Sequence, residues 1–141
     1  MEEKTIRISR AGYQTILKSA KTAFPEEACG LIAGSVTDEM IEIRKVYTLE
    51  NTDHSTEHFS LDPKEQLLAV RDMRKNGLTP LGNWHSHPAT PSRPSEEDKR
   101  LSYDRNAVYM ILSLAGEKPV LNAFHIEGTE VRKENLVITG E

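Results

Sequence analysis

The sequence predicts one α/β domain over residues 1–141, with a mixed central sheet flanked by helices. Apolar residues recur at helical spacing in two stretches, after Ser9 and after Asp62-Pro63. Shorter apolar runs of strand length lie between and beyond them, at 26–34, 78–84 and 107–115. A chain of 141 residues, 37% hydrophobic, suffices for one domain that buries a core without covalent staples.

Thr5 to Ser9 alternates weakly and reads as a short first strand. From about Ala11 to Ala23, Tyr13, Ile16, Leu17 and Ala20 fall at i, i+3, i+4 and i+7, an amphipathic helix that Pro25 ends. Residues 26–34 follow as a buried strand, where two glycines point to close approach by a neighbour. Ile41, Ile43 and Val46 continue as a strand after a turn near Thr37-Asp38. Residues 47–60 are polar and read as loop, with His54 and His58 in it. Asp62-Pro63 starts a helix, proline being suited to the first turn. Leu67, Val70 and Met73 form its apolar stripe, and Asn76-Gly77 stops it.

Leu78 to Trp84 then runs as a strand into a pair of histidines. Prolines keep 88–94 out of helix. Ser95 opens a further helix with acids in its first turn and Leu101 and Tyr103 on it. Ala107 to Ala115, apolar on both faces, suits a central strand. Val120 to Ile126 and Thr129 to Ile138 read as a strand pair about Glu127-Gly128. No internal repeat, low-complexity segment or linker interrupts this order.

The composition narrows the function. Charged residues make up 28% of the chain, and the net charge is −4 with both signs interspersed. No basic block of the kind that binds nucleic acid or an anionic membrane is present. The opening MEEKTIRIS lacks a signal-peptide pattern, and no apolar run has the length to span a bilayer. Cys29 is the only cysteine, so no internal disulfide or cysteine-rich metal site can form. These features imply a cytoplasmic protein.

The chemistry is concentrated in His85 to Asp98, HSHPATPSRPSEED. In an extended chain His85 and His87 share a face, so both imidazoles can grip one divalent ion. A carboxylate from the next element could supply a third ligand. Three protein ligands plus water is the arrangement of a catalytic zinc site, and two histidines with an aspartate suit zinc. Each residue also has a plainer reading. An H-x-H pair alone is more often surface or hydrogen-bonded histidine. Asp98 stands in S-x-x-D, a variant of the helix capping box, where Ser95 would be the N-cap. The two roles are compatible, since Ser95 can cap while Asp98 turns towards a metal. Glu96 and Glu97 read as solvated acids complementing the helix dipole. Glu26 and Glu27 precede a buried strand, and spacing does not choose which would face the site. Cys29 reads as a small core hydrophobe rather than a nucleophile. His54, His58 and His125 have no partner at metal spacing and read as ordinary residues. Trp84 reads as core or pocket wall.

H-S-H-P followed after seven residues by S-x-x-D matches the JAMM motif, and P-E-E-A-C-G-L-I-A-G resembles the glutamate box of the same family. The chain thus resembles the JAMM/MPN+ zinc metalloproteases of the JAB family, of the compact stand-alone prokaryotic type, over nearly its whole length. The resemblance implies the MPN fold, related to that of the cytidine deaminases. It also implies one Zn²⁺ held by His85, His87 and Asp98. Glu27, two residues before Cys-Gly, would be the general base and then the general acid. Ser95 would hydrogen-bond the oxyanion. Ser86 and Trp84 are further candidates for the substrate pocket. The implied substrate is a peptide or isopeptide bond after the C-terminal Gly-Gly of a ubiquitin-like modifier or sulfur-carrier protein, held as an added strand at a nearby sheet edge. A homodimer is compatible with the sequence.

Rival readings are a metal-free scaffold of the same fold, a zinc deaminase, and a non-catalytic binding module for a ubiquitin-fold partner. Scaffolds lack the ligands that this chain carries. A deaminase needs a P-C-x-x-C that a single cysteine cannot supply. The binding module differs from the peptidase only in turnover.

Overall fold

The computed structural model describes residues 4–140. The initial residues 1–3, part of the leader-peptide reading, lie outside the described residues. In chain order the elements are β1 (Thr5–Ser9), α1 (Arg10–Ala23), β2 (Cys29–Val36), β3 (Met40–Leu49), α2 (Pro63–Lys75) and β4 (Thr79–His87). They continue with α3 (Glu96–Arg100), β5 (Val108–Ser113), β6 (Val120–Glu127), β7 (Glu130–Lys133) and β8 (Leu136–Thr139). The sheet order is β7-β6-β5-β4-β2-β3-β1-β8. β1 is parallel to β3 and β8, and β4 to β5, while the other pairs are antiparallel, so the sheet is mixed as expected.

Local chemistry explains the helix limits. Ser9 caps α1, its hydroxyl accepting the Gly12 N–H at 3.0 Å. Gly77, at φ +68°, ends α2 in a Schellman motif: Leu78 N–H reaches Met73 O at 2.8 Å and Gly77 N–H reaches Arg74 O at 3.3 Å. α1 buries Ile16 and Ala20 against Ile6, Ile32, Trp84 and Met110, in the main core. α2 packs Ala69 and Met73 against Ala33, Leu31 and Tyr47. Leu31 and Ala33 alternate with Ile32, so the two helices cover opposite faces of β2.

Four expectations need correction. Residues 47–49 belong to β3: Tyr47, Thr48 and Leu49 pair with Leu31, Gly30 and Cys29, and the polar loop starts only at Glu50. Of the α2 stripe, Met73 is buried and Val70 packs beside it, but Leu67 is 51% exposed and Ala69 is buried instead. α3 has only five residues, with Leu101 at its C-cap and Tyr103 beyond it, 86% exposed. The span 129–138 is two strands rather than one. β7 pairs with β6, and β8 pairs with β1 at the other end of the sheet order. Only Glu134 and Asn135 separate them, so the sheet curls until its two edges nearly meet. Glu134 N–H donates to Ala123 O and Ile6 N–H donates to Asn135 O, both at 2.9 Å, closing the seam from β6 to β1. The buried Glu134 carboxylate also accepts from Arg132 and pairs with His125 there, which accounts for His125.

No helix among the described residues is long and apolar enough to cross a membrane.

Candidate active site

The site lies where β4 runs out. Alternation along β4 places His85 and His87 on one side, with ring centroids 4.9 Å apart, and both are buried. Their Nε2 atoms are 3.1 Å apart. Asp98, in the first turn of α3, brings Oδ2 to 3.2 Å from His85 Nε2 and 3.1 Å from His87 Nε2. The same Oδ2 accepts the Ser95 N–H at 2.9 Å, and Asp98 N–H donates to Ser95 Oγ at 3.0 Å. Asp98 therefore completes the capping box and faces the histidines with one and the same oxygen. Ser95 Oγ accepts in that bond, which leaves its O–H as a donor for another group.

The segment between the histidines and α3 is pinned to the sheet. Ser113 Oγ donates to Thr90 O and Ser92 Oγ donates to Ile111 O, each at 2.6 Å. Asn122 Nδ2 donates to Ser92 O at 3.2 Å. So fixed, the Pro91 carbonyl meets His87 Nδ1 at 2.9 Å. A carbonyl only accepts, so Nδ1 carries a proton; in the neutral ring Nε2 then turns a lone pair towards Asp98 and His85, and in the charged ring it donates to Asp98.

That arrangement fits a cation. A lone-pair nitrogen and a carboxylate oxygen 3.1 Å apart repel unless positive charge lies between them. One proton on His85 Nε2 can serve only one of its two neighbours. The three separations, 3.1 to 3.2 Å, match the edge of about 3.3 Å expected of a tetrahedron with zinc–ligand distances of about 2.0 Å. His85, His87 and Asp98 thus form a group able to hold a metal ion.

Titration behaviour follows from burial. Desolvation lowers the pKa of His85. For His87 burial acts downward too, but hydrogen bonds to Asp98 and Pro91 outweigh it and leave the pKa raised. Burial works to raise Asp98, and the two imidazoles overcome it, holding its carboxyl well below the usual carboxylate range.

The two neighbouring glutamates, indistinguishable by spacing, separate here. Glu26 turns outward to His54, 3.4 Å away. Glu27 is buried, with Oε1 free of any hydrogen-bond partner among the described residues. Burial pushes its carboxyl up to about 8; nearby His87 opposes the shift, and Asp98 adds to it. Glu27, His87 and Ser95 border a cavity of about 560 Å³ whose rim includes Phe24, His58 and Glu97.

Ser86 and Trp84 do not reach that cavity. Ser86 is fully buried, accepting the Ala28 N–H at 2.8 Å on Oγ and donating its own N–H to Ala28 O at 3.0 Å. It staples Ala28 to β4. Trp84 is equally buried and donates Nε1–H to Tyr47 O at 3.0 Å, across Gly30. Gly30 permits this, because a Cβ there would lie 1.8 Å from Tyr47 O and 2.4 Å from the indole nitrogen. Cys29 is a core residue whose thiol burial pushes up to about 12, out of the nucleophile range.

The residues 50–61 carry contacts that periodicity could not reveal. Phe59 stacks on His85, centroids 4.6 Å apart, and His58 Nδ1 meets the Glu97 carboxylate at 2.8 Å. The only signal was the length of this polar stretch, since long loops are commonly functional. β7 pairs only with Phe124–Glu127 of β6, so the nearer end of β6, where Val120 lies opposite Ser113, the partner of His87, has no strand of β7 beside it. Segments 56–58 and 88–90, not a sheet edge, flank the cavity.

Residues 9–127 match the family described as prokaryotic homologs of the JAB domain. The chain is 33% identical over 94 residues to the CysO-cysteine peptidase of Mycobacterium tuberculosis, covering 67% of this chain and 63% of that protein. It thus spans less than two thirds of that relative's length. It is 28% identical over 113 residues to a desampylase of Pyrococcus furiosus, covering 80% and 77%. A protein of Desulfitobacterium hafniense of solved structure is 48% identical, with a TM-score of 0.89 over 96% of this chain and 94% of that one. A JAB1/MPN domain protein from Archaeoglobus fulgidus is 29% identical, with a TM-score of 0.58 over 94% and 99%.

Proposed function

The chain belongs to the prokaryotic homologs of the JAB domain, and from that premise we propose that it is a zinc-dependent metallo(iso)peptidase. Its substrate is a ubiquitin-like or sulfur-carrier protein, cut at the peptide or isopeptide bond after the C-terminal Gly-Gly. The observation that carries the reading is the triangle of His85, His87 and Asp98 donor atoms at a cavity bordered by the buried Glu27. The names of two relatives, a CysO-cysteine peptidase and a desampylase, support hydrolysis of a conjugated protein.

When bound, zinc supplies a Lewis acid that polarises the scissile carbonyl and acidifies a water. Glu27 takes the proton of the attacking water and returns it to the leaving nitrogen. A cation held by His85, His87 and Asp98 would oppose the burial that raises its pKa and so favour the carboxylate form. Ser95 Oγ, already an acceptor to Asp98 N–H, donates a hydrogen bond to the developing oxyanion, a contact typically worth about 3 kcal/mol. Pro91 holds the His87 ring, and Asp98 is held by the cap of α3. Diglycine carries no side chains, which suits a tail that must pass between segments 56–58 and 88–90. The proposed setting is the cytoplasm, with no nucleic acid or membrane involved.

The test is a cleavage assay read by mass spectrometry, on ubiquitin-fold proteins extended or lysine-linked beyond Gly-Gly, with and without a chelator. Chelator-sensitive cleavage just after the diglycine is expected. Zinc-loaded protein that binds such substrates and never cleaves them would establish the non-catalytic binding module instead.

A further inference from the structure

We infer that Asn51 is a positioning residue for Glu27, an assignment that rests on the peptidase reading above. Glu27 lies before β2 and outside the sheet ladder, so no strand neighbour holds it. Its buried Oε1 has no hydrogen-bond partner among the described residues. The place of the carboxyl is therefore set through the Glu27 backbone, and residues 51–55 hold both backbone groups. Glu27 N–H donates to Ser55 O at 2.8 Å, and Glu27 O accepts from Asn51 Nδ2 at 3.0 Å.

Asn51 is buried and uses its whole amide. Nδ2 donates to Glu27 O and, at 2.9 Å, to His58 O. Oδ1 accepts from Asp53 N–H at 3.0 Å and Ser60 N–H at 3.2 Å. Two donors and two lone pairs are thus all engaged. A bridge from Asn51 to Leu61 and the Thr52 N–H to Ser60 O bond, 3.0 Å, close the loop around that side chain. This unit carries Phe59 against His85 and His58 against Glu97. One amide therefore sets the register between Glu27, the histidines and α3. On the other flank Ser86 fixes Ala28, so Glu27 is gripped from both sides by its backbone alone.

The experiment compares wild type, Asn51→Ala and Asn51→Asp, each loaded with zinc and checked for cooperative unfolding. Asn51→Asp keeps the shape and both acceptor contacts but removes the two N–H donors. The probe is a ubiquitin-fold protein extended beyond Gly-Gly by a fluorescent peptide. A displacement of about 1 Å in a reacting group costs on the order of 100-fold, so kcat is expected to fall about 10- to 100-fold. KM should move less than about threefold, because uniform substrate binding is untouched. Zinc content and the visible spectrum of the cobalt-substituted protein should stay as in wild type. In a Glu27→Gln background the Asn51 substitutions should change residual turnover by no more than about twofold, since Asn51 acts through Glu27. Wild-type kcat in both variants overturns the assignment, as do losses that multiply with Glu27→Gln. Failure of both variants to unfold cooperatively overturns it too, making Asn51 a residue of the fold alone. A wild-type protein inert towards the probe removes the peptidase reading itself, whereas unimpaired turnover in Glu27→Gln removes Glu27 as the base and the assignment of Asn51 with it.

Discussion

Asp98 Oδ2 receives the Ser95 N–H at 2.9 Å and faces the Nε2 atoms of His85 and His87 at 3.2 and 3.1 Å. One carboxylate oxygen thus ends the loop, starts α3 and completes the ligand triangle. The capping bond fixes the rotamer before any ion arrives, the kind of support from an outer contact that orients metal ligands.

Asp98→Ala is expected to abolish zinc retention while the metal-free protein still folds, less stable by about 1 kcal/mol for the lost cap bond and by more for the two imidazoles left without their carboxylate. The backbone N–H that Ser95 Oγ accepts survives the substitution. Elemental analysis beside thermal melts checks both halves; full zinc in this variant would remove Asp98 from the ligand set.

Glu27→Gln should change the pH dependence of metal-free stability. Burial raises the folded-state carboxyl from 4.5 to about 8. A raised acid favours folding below its unfolded value, and that contribution is lost as pH climbs through the folded one. The wild type therefore loses stability between about 4.5 and 8 at up to about 1.4 kcal/mol per unit, and the amide does not. Melts in chelator should show the variant several degrees more stable at alkaline pH and matched near pH 5. Parallel curves would mean that Glu27 is solvated.

Zinc binding should weaken on acidification because His87 must give up a proton to serve as a ligand. Hydrogen bonds to Asp98 and Pro91 outweigh burial and raise its pKa above 6.5, so competition begins near neutrality. Affinity measured against a fluorescent chelator should fall about tenfold per pH unit once His87 is protonated. A flat profile to pH 5.5 would exclude His87 as a ligand.

Gly30→Ala should destabilise the fold by about 3 kcal/mol, because the added methyl meets Tyr47 O and the Trp84 indole. Trp84 is the only tryptophan, so its fluorescence reports the urea midpoint directly. An unchanged midpoint would mean that β2 can move away from the ring.

Legibility in the sequence followed the range of the interaction. α1 and the end of α2 were readable because apolar period, cap and Gly77 are neighbours along the chain. The strand cores at 29–36 and 108–113 were readable because both faces are buried. Reading 129–138 as one strand failed at Glu134, a charged residue whose burial is satisfied only where β6 and β7 meet at the seam. Residues 47–49 were misread because Tyr47, Thr48 and Leu49 owe their strand to partners in β2 rather than to their own pattern.

The mixed α/β character, the family resemblance and the metal-ligand candidates were all legible along the chain, since H-x-H on a strand and S-x-x-D at a helix start are local geometry. The family resemblance pointed to Glu27 rather than Glu26, and the tertiary structure gave the physical difference, because burial is a property of the packed chain: Glu26 pairs with His54 at the surface while Glu27 is buried. Only it withdrew Ser86 and Trp84 from the pocket, by showing where their polar atoms are satisfied. It alone brought the loop of Asn51, His58 and Phe59 onto the site. Those contacts join residues 24 to 39 positions apart in sequence, and no periodicity extends that far.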